Sequence, residues 1–127
     1  MLRIRAAEKQ AFAAVERDRF LERVYEVLRI HWVDVIASRE EAAVKAMLGG
    51  WLGPLLEADI RSETLVARAM NVLFAVRCDF DEDPLHVPRV KELILDASAA
   101  ADNSAERRVE LFEEWLFNRY DEASARG

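Results

Sequence analysis

Residues 3–36 contain no glycine or proline, and Phe12, Val15, Phe20, Val24, Leu28 and Trp32 recur there mainly at three- and four-residue steps. Side chains three and four apart share one helix face, so this spacing predicts a long amphipathic N-terminal helix, or two helices sharing an axis break. The one five-residue step, from Val15 to Phe20, puts the expected kink in "ERDRF". Strand-like alternation of β-branched residues is absent from the 127 residues. Helix-on-helix packing is then the remaining way to bury the apolar positions.

Those positions are numerous: 52% of residues are apolar and 33% charged, with four Gly and three Pro. The balance excludes a disordered tail and a loop-rich disulfide scaffold. A chain of 127 residues is the size of one domain and buries roughly two-thirds of its unfolded surface. A single helical domain over residues 1–127 is expected.

Start and stop signals divide the rest of the chain. Ser38 with Glu41 matches a capping box, in which the hydroxyl accepts from the third backbone N–H and the carboxylate reaches back. A second helix is expected from there to about Leu48, where Gly49-Gly50 suits a left-handed cap. Pro54 fits the first turn of a short apolar element in "WLGPLLEADI". Ser62 is the next expected N-cap. Beyond it, Leu65, Ala69, Val72, Leu73 and Val76 share a face that Met70 and Phe74 widen, which predicts a nearly buried central helix. Pro88 suits another helix start, with Val90, Leu93, Ile94 and Ala97 on one side. Asn103 with Glu106 forms a second capping box, opening a last helix that runs to about Glu122. The fold class expected is all-α, a single-domain bundle of five to six helices with a long N-terminal helix and a buried central helix.

A net charge of −6 and a pI near 5.0 repel phosphate backbones and anionic lipid headgroups, so neither nucleic acid nor membrane is an expected partner. The longest uncharged run, residues 46–56, falls far short of the ~20 apolar residues that span a bilayer. Arg3, Arg5, Glu8 and Lys9 interrupt any export-type apolar core near the start. The single Cys78 has no disulfide partner within the chain, and cytoplasmic residence is expected.

The candidate site is residues 76–88, "VRCDFDEDPLHVP", where Asp79, Asp81, Glu82 and Asp83 stand within five residues. Asp79, Asp81 and Asp83 imitate the opening of a calcium loop, but Pro84 occupies the place of the turn glycine and Val90 that of the bidentate glutamate. Cys78 and His86 lack further soft ligands for zinc, and no strand–turn–helix elbow activates them as a nucleophile pair. Glu40-Glu41 and Glu113-Glu114 diverge by about 100° on a helix, which argues against a shared carboxylate dyad. His31 suits a helix C-terminus. No catalytic residue, metal ligand or cofactor site is assigned. Phe80 is expected to pack inward while Asp79, Asp81 and Glu82 face water, with Pro84 stiffening the turn; Phe80 and Pro84 are the structural anchors.

In the last helix, with Leu111 as reference, Trp115 and Leu116 lie within a broad apolar arc, while Tyr120 and especially Phe117 fall well outside its centre. Aromatic residues dominate interface cores, so this helix is an interface candidate. The expected protein-binding residues are Asp79, Asp81, Glu82, Asp83, Trp115, Phe117 and Tyr120.

Two stretches carry a family resemblance. The opening "MLRIRAAEKQAF", continuing to "LRIHW", has an Arg-rich start, an early Phe and a basic-aromatic close. Residues 62–84, "SETLVARAMNVLFAVRCDFDEDP", join Ser-Glu to a buried helix and then to Asp-Phe-Asp-x-Asp-Pro, with Cys78 where such sequences usually have glycine. In these features the chain resembles small helical proteins encoded beside type VI secretion spike and effector genes in Gram-negative bacteria. The resemblance implies a non-catalytic accessory protein, adaptor or chaperone-like, that binds an effector or spike component, and it supplies no catalytic residues. An immunity protein that neutralises a secreted toxin is the alternative to which the acidity is suited. A metal-dependent hydrolase acting through the acidic loop is a third reading.

Overall fold

A computed structural model describes residues 14–96 and 104–126. Among them the chain is all-α, without a strand. The helices are α1 (Ala14–His31), α2 (Val33–Ala37), α3 (Glu41–Glu57), α4 (Glu63–Asp79), α5 (Pro88–Val90) and α6 (Ala105–Arg126). A 3-10 turn spans Pro84–His86, and a π-helical segment, Lys91–Leu95, continues α5. The chain divides into two compact units, one ending at Gly53 and the other beginning at Pro54, with α3 running through the boundary.

In the first unit, α1 buries Phe20, Leu21, Val24, Tyr25 and Leu28. The helix runs without interruption through residues 16–20, where a kink or slip is expected, and Leu21 and Tyr25 continue the buried stripe beside Phe20 and Val24. The break falls at Trp32, whose φ of −121° and ψ of 45° leave the helical region. Helical bonding closes on either side of it: Trp32 N–H donates to the Leu28 carbonyl at 2.6 Å, and Ile36 N–H to the Trp32 carbonyl at 2.9 Å. The start of the long helix, residues 3–13, lies outside the described residues.

Ser38 closes α2 instead of opening α3, because its Oγ donates to the Val35 carbonyl at 2.8 Å. The carbonyl of Glu40 begins α3, accepting from Val44 N–H at 3.1 Å. Glu41, freed from a capping role, accepts from Lys45 Nζ at 3.0 Å, and Glu22 of α1 accepts from the same ammonium at 3.1 Å. Lys45 also lies 5.3 Å from the Tyr25 ring centroid, which sets α3 alongside α1 within this unit.

Gly49-Gly50 does not end α3. The helix continues through both glycines, Gly53 and Pro54, and none of its glycines has a positive φ. Each glycine costs about 1 kcal/mol in a helix interior, and Pro54 leaves the Gly50 carbonyl without its helical donor. Burial of Val44, Leu48, Trp51, Leu52 and Leu55, each worth about 1.5–3 kcal/mol for a large apolar side chain, outweighs that cost. The terminator is Asp59, with φ of 66°. Its N–H donates to the Leu56 carbonyl and Ile60 N–H to that of Leu55, both at 3.0 Å. This is the Schellman pattern, with aspartate where glycine is usual.

The second unit is organised by α4, which buries Val66, Ala69, Met70 and every residue from Val72 to Val76. Ser62 occupies the N-cap position in extended conformation, although its side chain makes no capping bond. Along α6, Val109, Phe112 and Leu116 are buried. Arg68 of α4 meets Glu113 of α6 with two parallel bonds, Nη2 to Oε1 at 2.5 Å and Nε to Oε2 at 3.2 Å. Ser104 caps α6, its Oγ accepting from Arg107 N–H at 3.2 Å. The other half of the expected capping box, Asn103, lies outside the described residues, as does Ala97. Pro88 opens α5 as expected, and Val90 and Ile94 are buried.

Candidate functional site

The acidic loop begins where α4 ends, one residue later than Cys78, at Asp79 with Phe80 as C-cap. Asp81 takes a left-handed φ of 52°, which aspartate tolerates better than most residues. The reversal is secured from both sides. Glu82 N–H reaches back to the Val76 carbonyl at 3.3 Å, and Arg77 Nη1 donates to Asp81 Oδ1 at 2.8 Å. Asp83 then caps the 3-10 turn, its Oδ1 accepting from Leu85 N–H at 3.1 Å, with Pro84 buried in the first position. His86 Nε2 stands 3.5 Å from Asp83 Oδ2.

The last helix fastens this loop. Tyr120 donates its hydroxyl hydrogen to the Asp79 carboxylate, and its ring is tilted at 5.3 Å from that of Phe80. Arg119 lies with its guanidinium carbon 4.1 Å from the Phe80 centroid and 5.3 Å from that of Trp115. Its Nη1 is also 2.6 Å from Glu82 Oε1. That oxygen accepts no aligned N–H, so charge and not hydrogen-bond geometry holds the pair. Burial, followed by the bond to Asp79, raises the Tyr120 phenol above its ordinary value.

The residues singled out in the sequence are therefore divided. Asp79, Phe80, Glu82, Trp115 and Tyr120 come together in one clasp, gathered around Arg119. Glu82 does not face water as expected; it is half-buried against that guanidinium. Phe80 is half-buried too, covered on one side by Arg119 and on another by Tyr120. Asp81 and Asp83 are exposed, and Phe117 is 67% exposed on the same helix. Arg77 and Arg119 were not singled out, and the available signal was charge: a cluster of four carboxylates needs cations nearby. A separate omission is the apolar series Val27, Ile30 and Val33, all exposed.

Among the described residues, no group of three or more His, Cys, Asp or Glu side chains is arranged to hold a metal ion. No described helix is long and apolar enough to cross a membrane. Compared with known proteins, the chain matches no family model, no curated sequence and no solved structure.

Proposed function

We propose that the chain is a non-catalytic protein-binding accessory, adaptor or chaperone-like, acting in type VI secretion effector or spike loading. The observation that carries the binding role is the pairing of a fastened acidic loop with an exposed aromatic. Phe117 stands three residues before Tyr120, on the helix that clasps the loop, and is 67% exposed. A clasped loop has little conformational entropy left to lose on binding, while an exposed aromatic ring offers a partner a large apolar contact. Asp81 and Asp83 present exposed carboxylates on that loop, suited to a partner with a cationic face. The secretion context rests on the resemblance of residues 1–32 and 62–84.

Affinity capture of the tagged full chain from a strain with an active type VI system tests this reading. A spike or effector component is expected to co-purify and to be lost with Phe117→Asp, a change at an exposed position. Recovery of no such component overturns it.

The exposed carboxylates also favour the immunity reading, because acidic side chains steer onto a cationic toxin face. The two roles differ in phenotype. Deletion of an adaptor abolishes delivery, whereas deletion of an immunity protein poisons the cell or its siblings.

A further inference from the structure

Within the second unit, the Arg119 guanidinium sits in a box of two ring faces and a carboxylate. Its central carbon lies 4.1 Å from the Phe80 centroid and 5.3 Å from that of Trp115, both inside the ~6 Å over which a ring face attracts a cation. Glu82 closes a third side, with Oε1 2.6 Å from Arg119 Nη1. Each ring has a support other than the guanidinium. Tyr120, itself bonded to Asp79, braces Phe80 at 5.3 Å between centroids. The buried Phe112 stacks on Trp115 at 5.7 Å and 15°. Aromatic pairs at such distances are favourable on their own account, so the walls are built without their occupant.

The box makes no use of what distinguishes a guanidinium from other cations. In the same unit Arg68 meets Glu113 with two parallel bonds, the bidentate use of the planar fork. Glu82 Oε1, by contrast, accepts no aligned N–H. Charge and ring faces hold Arg119, and a cation without N–H donors satisfies both. The Arg119 side chain also keeps 26% of its surface exposed, so its head can leave toward solvent while the buried positions of α6 stay packed.

We propose that this box binds a quaternary ammonium group, with Arg119 as its internal competitor. The ligand enters as the Arg119 side chain swings out, and its methyl groups take the places over Phe80 and Trp115 beside the Glu82 carboxylate. Recognition of quaternary ammonium by ring faces is the functional use to which cation–π attraction is best suited. A net charge of −6 favours the approach of any such cation. The inference goes beyond partner binding through Phe117 and does not rest on the secretion reading.

Proton NMR of tetramethylammonium mixed with the full chain tests it, at an ionic strength held constant with sodium chloride. Methyl protons over a ring face move upfield, and a saturable upfield shift is expected with Arg119→Ala. The wild type is expected to give the same shift at about tenfold higher concentration, because a tethered side chain competes at high effective concentration. Phe80→Leu added to Arg119→Ala removes one ring face and should abolish the shift, and Glu82→Gln added instead should weaken binding. tert-Butanol, similar in shape and uncharged, should not shift. Circular dichroism checks the fold of each variant, and Arg119→Gln, which removes the charge but keeps part of the stem, replaces Arg119→Ala if the alanine loosens it. A free compound and a methylated lysine of a protein carry the same head group: a short glycine-flanked trimethyllysine peptide that binds more tightly than tetramethylammonium assigns the protein-borne source, and equal binding assigns the free one. Absence of a saturable shift with the Arg119 variants, or an equal shift for tert-butanol, overturns the proposal. A wild type that gives no shift at any concentration overturns it equally, because Arg119 then does not exchange.

Discussion

Arg108 donates from Nη1 to the Ala58 carbonyl at 2.8 Å, and from Nη2 to the Ile94 carbonyl at 2.5 Å. Its Nε donates to Leu93 at 3.2 Å, and Nη2 reaches the Asp96 carbonyl at 3.5 Å. Ala58 follows the last turn of α3, and the other three acceptors end the π-helical segment. Helix C-termini leave carbonyls without intrahelical donors and carry the negative end of the macrodipole. A planar fork with five N–H donors can meet two such ends at once. Among the described residues Arg108 is the sole buried charged side chain, 1% exposed. Burial pushes its pKa down, while the charges of Asp59 and Asp96 oppose that shift. Among the described residues no carboxylate bonds the guanidinium directly; backbone dipoles take the place of a counter-ion.

Replacing Arg108 should therefore damage the second unit more than loss of a surface charge would. Arg108→Met keeps the stem but strands several buried carbonyls, at an expected cost of about 3 kcal/mol. Arg108→Lys retains a cation that cannot span both helix ends and should recover only part of the loss. Urea denaturation midpoints at unchanged slope measure both, and a loss below ~1 kcal/mol for Arg108→Met would show that the junction contributes little.

Arg108 also marks where sequence reasoning stops. A charged residue in an amphipathic helix reads as solvent-facing, and its acceptors here are main-chain carbonyls, which have no residue signature. What sequence does carry is periodicity. The buried face of α4 follows from it directly, and the N-cap position of Ser62 from residue type. The run through Gly49, Gly50 and Pro54 does not, because local propensity disfavours it and the burial of Leu48, Trp51, Leu52 and Leu55 decides. In the clasp, the four carboxylates and the aromatics are visible as residue types. Their assembly around Arg119 depends on how α6 lies beside the end of α4, a long-range relation that spacing does not encode.

The glycines of α3 offer a direct check on that account. A Cβ added at Gly50 meets nothing within 4 Å, and one at Gly49 meets Leu21 Cδ1 at an ordinary 3.6 Å. Gly50→Ala should stabilise by about 0.5–1 kcal/mol through the backbone alone. Asp59→Gly should act in the same direction by relieving the left-handed conformation, less whatever the exposed pairing with Arg61 at 2.9 Å contributes. Thermal unfolding of the two single variants measures each effect. A fall in midpoint for Gly50→Ala would contradict a continuous α3.

Phe80 and Phe74 separate clasp from core. Phe74 is fully buried in α4, and Phe74→Ala should cost about 3–5 kcal/mol. Phe80 is half-buried between Arg119 and Tyr120, so Phe80→Ala should cost about 2 kcal/mol, from reduced apolar burial and a lost cation–π contact. Equal losses in denaturant titrations would place Phe80 in the core; a loss below ~0.5 kcal/mol would remove it as the anchor of the loop.

The bond from Tyr120 to Asp79 predicts a pH dependence with a definite sign. The neutral phenol is the donor, and both burial and the neighbouring carboxylate disfavour the phenolate, so the folded-state pKa lies above the ordinary 10.0. This contribution to stability is fully present below pH 10 and is lost as the pH rises from there through the folded-state value. Tyr120→Phe keeps the ring against Phe80 and removes the donor, which should cost about 1 kcal/mol at neutral pH. The variant should also lose stability less steeply than the wild type above pH 10. Denaturation midpoints at neutral and alkaline pH measure both effects, and tyrosinate absorbance should show a late ionisation that Tyr120→Phe abolishes. If wild type and variant lose stability in parallel above pH 10, the hydroxyl is not held by Asp79 in solution.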